Sequence, residues 1–326
     1  MSEPESPPDL SGDRGLQSVR EKVYGGFFLL SAVISVLTTI AIVLALLGDT
    51  GLFFNEVSVV EFLTGLDWSP GISPKEFGVL PLVYGTVVVT IGASAIALPV
   101  GLLTAIYLSE YASPRVRSLL KPALEVLAGV PTVVYGYFAL VYVTPLVRQY
   151  LFPSISTFNA FSASFMMGIM IIPMVASLSE DAMSAVPDAL RNAGYGLGAT
   201  KFNVSTTIVV PAAISGIVSS FILAVSRAIG ETMIVVVAMG ASARLPAVRE
   251  FSLFGAAQIP YVHPADVFLE PGMTMTVGMV QVALSDLAGG TAAYHSLFAI
   301  GLTLFFITLV MNVISDVIAS RYREEY

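Results

Sequence analysis

From Val23 to Gly48 the chain runs 26 residues without one charged side chain, and comparable windows recur at 77–109, 126–147, 149–179 and 287–315. A further window, 202–243, is interrupted only by Arg227 and Glu231. At about 1.5 Å of rise per residue, each window is long enough to cross about 30 Å of hydrocarbon. Backbone N–H and C=O groups find no water in lipid, so helices are the form such runs must take. The chain as a whole agrees: 56% of its residues are hydrophobic and only 12% charged, with a mean hydropathy of +0.83. Ordinary soluble domains are about 25% charged.

These windows predict an all-α, polytopic membrane protein with about six spans, at 24–48, 80–108, 126–147, 158–179, 209–232 and 296–318. Pro99, Gly101, Gly129, Pro131 and Pro173 are expected to kink the spans or let them pack closely, without breaking them. Residues 1–23 read as a solvated acidic tail, 24–78 as the first span with an outer loop, and 79–320 as the core transmembrane domain. The first apolar run is too long for a secretory signal and lacks a basic start, so it is expected to stay. Six spans place both termini on one side. With the termini inside, the inner segments hold ten Lys and Arg and the outer segments four, Lys75, Arg148, Arg244 and Arg249. That bias orients both termini toward the cytoplasm of a cell membrane.

Several functions are excluded or disfavoured. There are no cysteines, so no disulfide, thiolate metal site or cysteine nucleophile exists. His263 and His295 are too far apart in sequence for a ligand-type spacing and read as loop or helix-end residues, so no metal and no catalytic group is assigned. No GxxxxGK[ST] string occurs, so ATP and Mg cannot be held by a phosphate-binding loop of this chain. No nucleic-acid partner is expected for a chain of net charge −8.

The segment from Glu180 to Ala213 reads EDAMSAVPDALRNAGYGLGATKFNVSTTIVVPAA. Pro187-Asp188-Ala189 looks like a helix start, with an acid facing the positive helix end. Gly198 permits a sharp change of direction, and Pro211 marks the start of the next membrane helix. This stretch resembles the signature of ABC importer permeases: EAA, three residues, Gly, nine residues, then I-x-L-P. Asn192-Ala193-Gly194, Gly198, Ile208 and Pro211 hold that register, with Asn192 in place of the glutamate, Gly194 of the second alanine and Val210 of the leucine. The resemblance implies a type I importer permease whose loop 180–211 carries a coupling helix. That helix would seat in a cleft of a separate ATPase, which binds ATP and Mg.

Longer strings resemble the PstC type of phosphate importer permease. They are FLTGLDWSP (62–70), FGVLPLVYGTVVVT (77–90), ALPVGLLTAIYLSEYASP (97–114), LEVLAGVPTVVYGYFAL (124–140), RAIGETM (227–233) and SLFAIGLTLFFITLVMN (296–312). This implies pairing with a PstA-type permease, a PstB-type ATPase dimer and a PstS-type phosphate-binding protein, with inorganic phosphate as cargo and membrane lipid as solvent. The outer segments carry nine Asp and Glu against those four basic residues, so that face is net negative, and phosphate handed over by a binding protein would make this no obstacle. Residues 49–78 and 244–290 are then the candidate docking surfaces, with Trp68 and Tyr261 as anchors; Trp68 reads equally as a headgroup-level anchor. Residues 233–243 are too short for another span and read as re-entrant or interfacial.

Arg227 and Glu231 are the charges that lipid should exclude. In one helix their i, i+4 spacing sets them on one face. They read either as a structural salt bridge or as an anion path, in which a guanidinium offers phosphate a planar fork of donors. The two readings combine if Glu231 masks Arg227 at rest and phosphate competes for it. Thr232 and Ser226 add hydroxyls. Competing readings are a permease for molybdate, tungstate or sulfate, and an ion-driven secondary transporter, although neither internal repeats nor several intramembrane acids appear. A scaffold or phosphate-sensing partner without transport is a further alternative.

Overall fold

The computed structural model describes residues 14–253 and 257–321, and their side chains except at 14–18, 249–261, 315, 316 and 318–321. The chain divides into two units, residues 1–49 and 50–326. The first unit is the early part of helix α1 (Arg14–Glu56). Its helix begins inside the polar tail, and residues 1–13 lie outside the described residues.

The second unit begins with the end of α1, α2 (Val59–Thr64) and a two-residue hairpin, β1 (Trp68–Ser69) against β2 (Glu76–Phe77). Phe53, Phe62, Trp68 and Phe77 are all buried here, with ring centroids 5.4 Å apart for Phe53–Phe62, 5.5 Å for Phe53–Phe77 and 6.4 Å for Trp68–Phe77. The backbone folds back so tightly that a Cβ on Gly78 would stand 2.3 Å from the Gly65 carbonyl carbon. Trp68 is therefore neither a docking anchor nor a headgroup anchor: its indole fills this aromatic core.

The bundle is built around α3 (Leu80–Ile106), extended by a π-helical turn over 107–111, and α7 (Ala160–Ser184). They run parallel: Gly92 faces Ser164, Gly168 faces Ala93 and Ile96, and Gly101 faces Val175, each too close for a larger residue. Small residues let helix backbones approach where lipid provides no hydrophobic drive for association. α7 starts on a buried cap, Asn159, whose side-chain oxygen accepts from Ser162 N at 2.7 Å while its amide donates to Thr144.

Between them lie α4 (Pro114–Ala128), α5 (Thr132–Phe138), a π-helical turn over 139–143, and α6 (Thr144–Tyr150). The expected span 126–147 is corrected here. The chain turns by 86° at 129–131, so the apolar rod starts at Thr132 and α4 is a separate amphipathic helix. Pro131 lacks an N–H and restrains its neighbour, and Gly129 costs helix propensity, so the two break the helix where a kink was expected.

After α7 come α8 (Asp188–Gly196), α9 (Lys201–Val204), a π-helical turn over 205–209 and α10 (Val210–Ala212). α11 (Ile214–Ile229) follows a 71° bend, which corrects the expected span 209–232 at both ends. α12 (Met233–Ala238) is short, with Ile234, Val235 and Ala238 buried. β3 (Val248–Leu253) and β4 (Ala257–Val262) pair antiparallel, followed by α13 (Pro264–Phe268), α14 (Met275–Leu284) and α15 (Ala292–Arg321). Of the expected docking surface 244–290, Leu269, Met273, Met275, Val277 and Val282 are buried, so that part of the segment belongs to the core. Tyr261 lies in β4, and its side chain is outside those described.

Among the described residues, four helices are long and apolar enough to cross a membrane: Val19–Glu56, Leu80–Tyr111, Ala160–Ser184 and Ala292–Ile314. Counting each bent pair, 114–150 and 201–229, as one span gives up to six, the number of the windows.

Candidate functional site

Two regions hold the residues that the sequence singled out. The first is the end of the bundle where α7 passes into α8. Pro187 is the extended N-cap of α8, Asp188 opens the helix, and Gly198 turns the chain with φ of +81°, a conformation that side chains with a Cβ rarely adopt. Asn192 and Ala193 face outward, whereas Gly194 is buried. A Cβ on Gly194 would lie 2.6 Å from Ile208 Cδ1 and 3.1 Å from Val204 Cγ2, so this glycine is where α8 rests on the segment leading to Pro211. The free side of the loop presents Leu197, Tyr195 and Phe202, all exposed.

The same end carries an ionic framework that charge counting did not reveal. Glu180, in the last turns of α7, is fully buried. It accepts from Arg117 of α4, from Lys121 Nζ at 2.9 Å and from Ser184 Oγ at 3.0 Å, and Lys121 also reaches Asp181 at 3.0 Å. Glu110, in the π-turn that ends α3, accepts from Arg191 of α8 at 3.1 Å. The signal for these pairs was the helical phase: a carboxylate on the buried face of an apolar helix must have a cationic partner.

The second region is the interruption between α11 and α12. α11 ends at Ile229, and Gly230-Glu231-Thr232 are not helical. The expected i, i+4 pairing of Arg227 with Glu231 is thereby corrected. Glu231 is buried and turns forward, its Oε1 accepting from Met233 N at 2.9 Å and Ile234 N at 3.3 Å, where it caps α12. Its carbonyl accepts from Thr276 Oγ1 at 2.9 Å, which ties the interruption to α14. Arg227 stays in the last turn of α11, exposed, and forms no ion pair among the described residues. Thr232 is half-buried beside it in sequence, and Ser226 Oγ donates to Asn312 of α15 at 3.2 Å. Glu231 and Arg227 thus split into a structural cap and a cation without an ion pair among the described residues.

No group of three or more His, Asp or Glu side chains among the described residues is placed to hold a metal ion. What the arrangement offers is an ion-paired helical end with an exposed apolar surface, and, on the flank of an apolar bundle, a guanidinium with no ion pair among the described residues.

Residues 97–324 match the model of the family described as binding-protein-dependent transport system inner membrane component, and the chain belongs to that family. It is therefore a multi-pass transport subunit of the ABC importer permease class, not an enzyme. The relatives narrow this further. The chain is 37% identical over 208 residues, 64% of its length and 67% of the relative's, to a protein of Bacillus subtilis named as a probable ABC transporter permease, YqgH. It is 30% identical to the phosphate transport system permease protein PstC of Mesorhizobium japonicum, over 92% of this chain and 93% of that one. Among solved structures, a bacterial ABC transporter that imports the acidic polysaccharide alginate superposes with a TM-score of 0.63, over 95% of this chain and 100% of the other, at 12% identity. That likeness shows the fold.

Proposed function

We propose that this chain is the PstC-type permease subunit of an ATP-driven phosphate importer. The observation that carries the substrate is Arg227, a permanent cation with no ion pair among the described residues, in a chain similar along nearly its whole length to phosphate permeases. Its planar donor fork suits phosphate oxygens. Ser226 and Thr232 offer hydroxyls beside it. With Glu231 committed to α12, the masking of Arg227 by Glu231 is abandoned, and the guanidinium itself is the feature of the path.

The transport cycle follows from the framework. A PstS-type binding protein delivers phosphate at the end of the bundle that carries the β3–β4 hairpin. A PstA-type permease completes the path, and a PstB-type ATPase dimer, which binds ATP and Mg, engages the opposite end. There, Asn192, Ala193 and the exposed Tyr195, Leu197 and Phe202 present the contact surface. Both termini lie inside in this reading, which the ten inner against four outer basic residues support. Closure of the ATPases displaces α8, and the bundle changes the side to which Arg227 is open.

The test is uptake of labelled phosphate by vesicles that hold the assembled complex and ATP. Arg227→Gln is expected to lower uptake by roughly tenfold or more, the worth of a charged hydrogen bond. Uptake at the normal rate would remove Arg227 from the path, and strong competition by molybdate and sulfate would reassign the cargo.

A further inference from the structure

Arg191 is the one basic residue of the coupling helix α8, and it does not face outward. Its side chain is 15% exposed and makes four bonds. Nη2 donates to Glu110 Oε1 at 3.1 Å and to Met183 O at 2.8 Å; Nη1 donates to Val186 O at 2.9 Å and to Asp188 Oδ1 at 3.2 Å. Glu110, with a side chain 4% exposed, is the last anchor of α3 and also accepts from Ser109 Oγ at 3.1 Å. Met183 and Val186 offer carbonyls at the end of α7, where the helix dipole is negative. One guanidinium therefore ties α8 to the ends of both helices that form the centre of the bundle.

The surroundings show why such a tie matters. α8 is bounded by an extended Pro187 and by Gly198 in the left-handed region, so both of its connections are places where the chain can change direction. Its other support is apolar: Gly194 sits on Ile208 and Val204, and Leu190 packs against the buried cluster that includes Met183, Val186 and Val204, contacts on which a helix can roll. A force applied to the outer face of α8 would turn the helix on these contacts before it moved α3 and α7. Buried, charge-assisted bonds in a fork resist that rotation, because an arginine fixes direction as well as distance.

We infer that Arg191 is a positioning residue, the joint through which displacement of α8 is transmitted to α3 by way of Glu110 and to α7 by way of its terminal carbonyls. This inference rests on the reading of the chain as the permease of an ATP-driven phosphate importer. Loss of the joint uncouples the complex: α8 still engages the ATPase, ATP is still hydrolysed, and the path does not switch.

The experiment measures phosphate uptake and ATP hydrolysis together in vesicles containing the whole complex. In Arg191→Met, uptake per ATP is expected to fall roughly tenfold while hydrolysis stays within about twofold. Arg191→Lys falls less, since one ammonium keeps Glu110 but cannot serve all four acceptors. Glu110→Gln also falls less, since the carbonyl bonds remain. Unchanged uptake per ATP in Arg191→Met, or an equal fall of uptake and hydrolysis in an assembled complex, would overturn the joint.

A second measurement does not depend on transport or on the full loss of Arg191. The chain has no cysteine, so spin labels at Ala189→Cys on α8 and Leu119→Cys on α4, both exposed, report the distance between these helices. Glu110→Gln is expected to broaden that distance distribution, and Arg191→Met to broaden it more; an unchanged width in both rejects the joint. If the wild-type complex hydrolyses ATP but imports no phosphate, the substrate reading fails while the label distances still decide the role of Arg191.

Discussion

Gly194 illustrates how one hydrogen in place of a methyl group sets a helix in position. The nearest atom to a Cβ there is Ile208 Cδ1, the far end of a flexible side chain, whereas Val204 Cγ2 at 3.1 Å has less freedom. Gly194→Ala, which restores the alanine of the importer signature, is expected to be accommodated by a turn of Ile208. Gly194→Leu would overpack the seat and cost about 1–3 kcal/mol, read as a lower Tm of the purified complex and as loss of the copurifying ATPase. Glu231 gives a second case. Its two bonds to Met233 N and Ile234 N satisfy donors that α12 cannot pair internally. Glu231→Ala is expected to lower stability by about 1 kcal/mol, the usual worth of a cap, and Glu231→Gln, which keeps an acceptor oxygen, by much less. A Glu231→Gln complex as unstable as Glu231→Ala would show that the charge, not the cap, holds the interruption.

At the scale of elements, the ionic pairs join helices that have little apolar surface in common. α4 meets the end of α7 through Arg117 and Lys121, whose side chains are 39% and 34% exposed, while that of Glu180 is 1% exposed. The asymmetry gives an order of effects. Removing both cations strands a buried carboxylate, with an expected loss on the order of 3 kcal/mol. Removing Glu180 as Glu180→Met leaves two cations that water can reach, and costs less. Thermal unfolding of Arg117→Met/Lys121→Met beside Glu180→Met checks this, and the reverse order would refute the burial argument. The elements also show where periodicity misleads. The window 126–147 carries no charge and 202–243 only Arg227 and Glu231, so hydropathy alone marks neither Gly129-Val130-Pro131 nor Gly230-Glu231-Thr232 as a point where a helix stops. Both stops follow from backbone chemistry, a missing N–H in one case and a forward-turned cap in the other.

At the scale of the whole molecule, the strings that resemble phosphate permeases pack on one another. FLTGLDWSP touches FGVLP at Gly65 and Gly78, and GVPTVVYG meets the residues after GET where Gly136 lies 3.1 Å, as judged by an added Cβ, from the backbone of Met233 and Ile234. Gly136→Val is therefore expected to separate α5 from α12 and reduce the yield of assembled complex, with a destabilisation of about 1–3 kcal/mol; an unaffected yield and Tm would show that this contact is dispensable. Much of the architecture was legible in the chain. The charge-free windows required membrane helices because lipid cannot solvate a bare backbone, and the stretch from Pro187 to Gly198 placed α8 and its glycine turn. The partners of the buried charges were not legible. Glu110 and Arg191 are 81 positions apart and Glu180 and Arg117 are 63 apart, separations that no helical period connects. Sequence by itself determined that the chain lives in lipid and where a short helix with a glycine turn leads into Pro211, because solvation and local turn chemistry act residue by residue. Tertiary structure alone decided that Glu231 caps a helix instead of pairing with Arg227, because a carboxylate in a low-dielectric interior goes to the donors that the fold brings within reach.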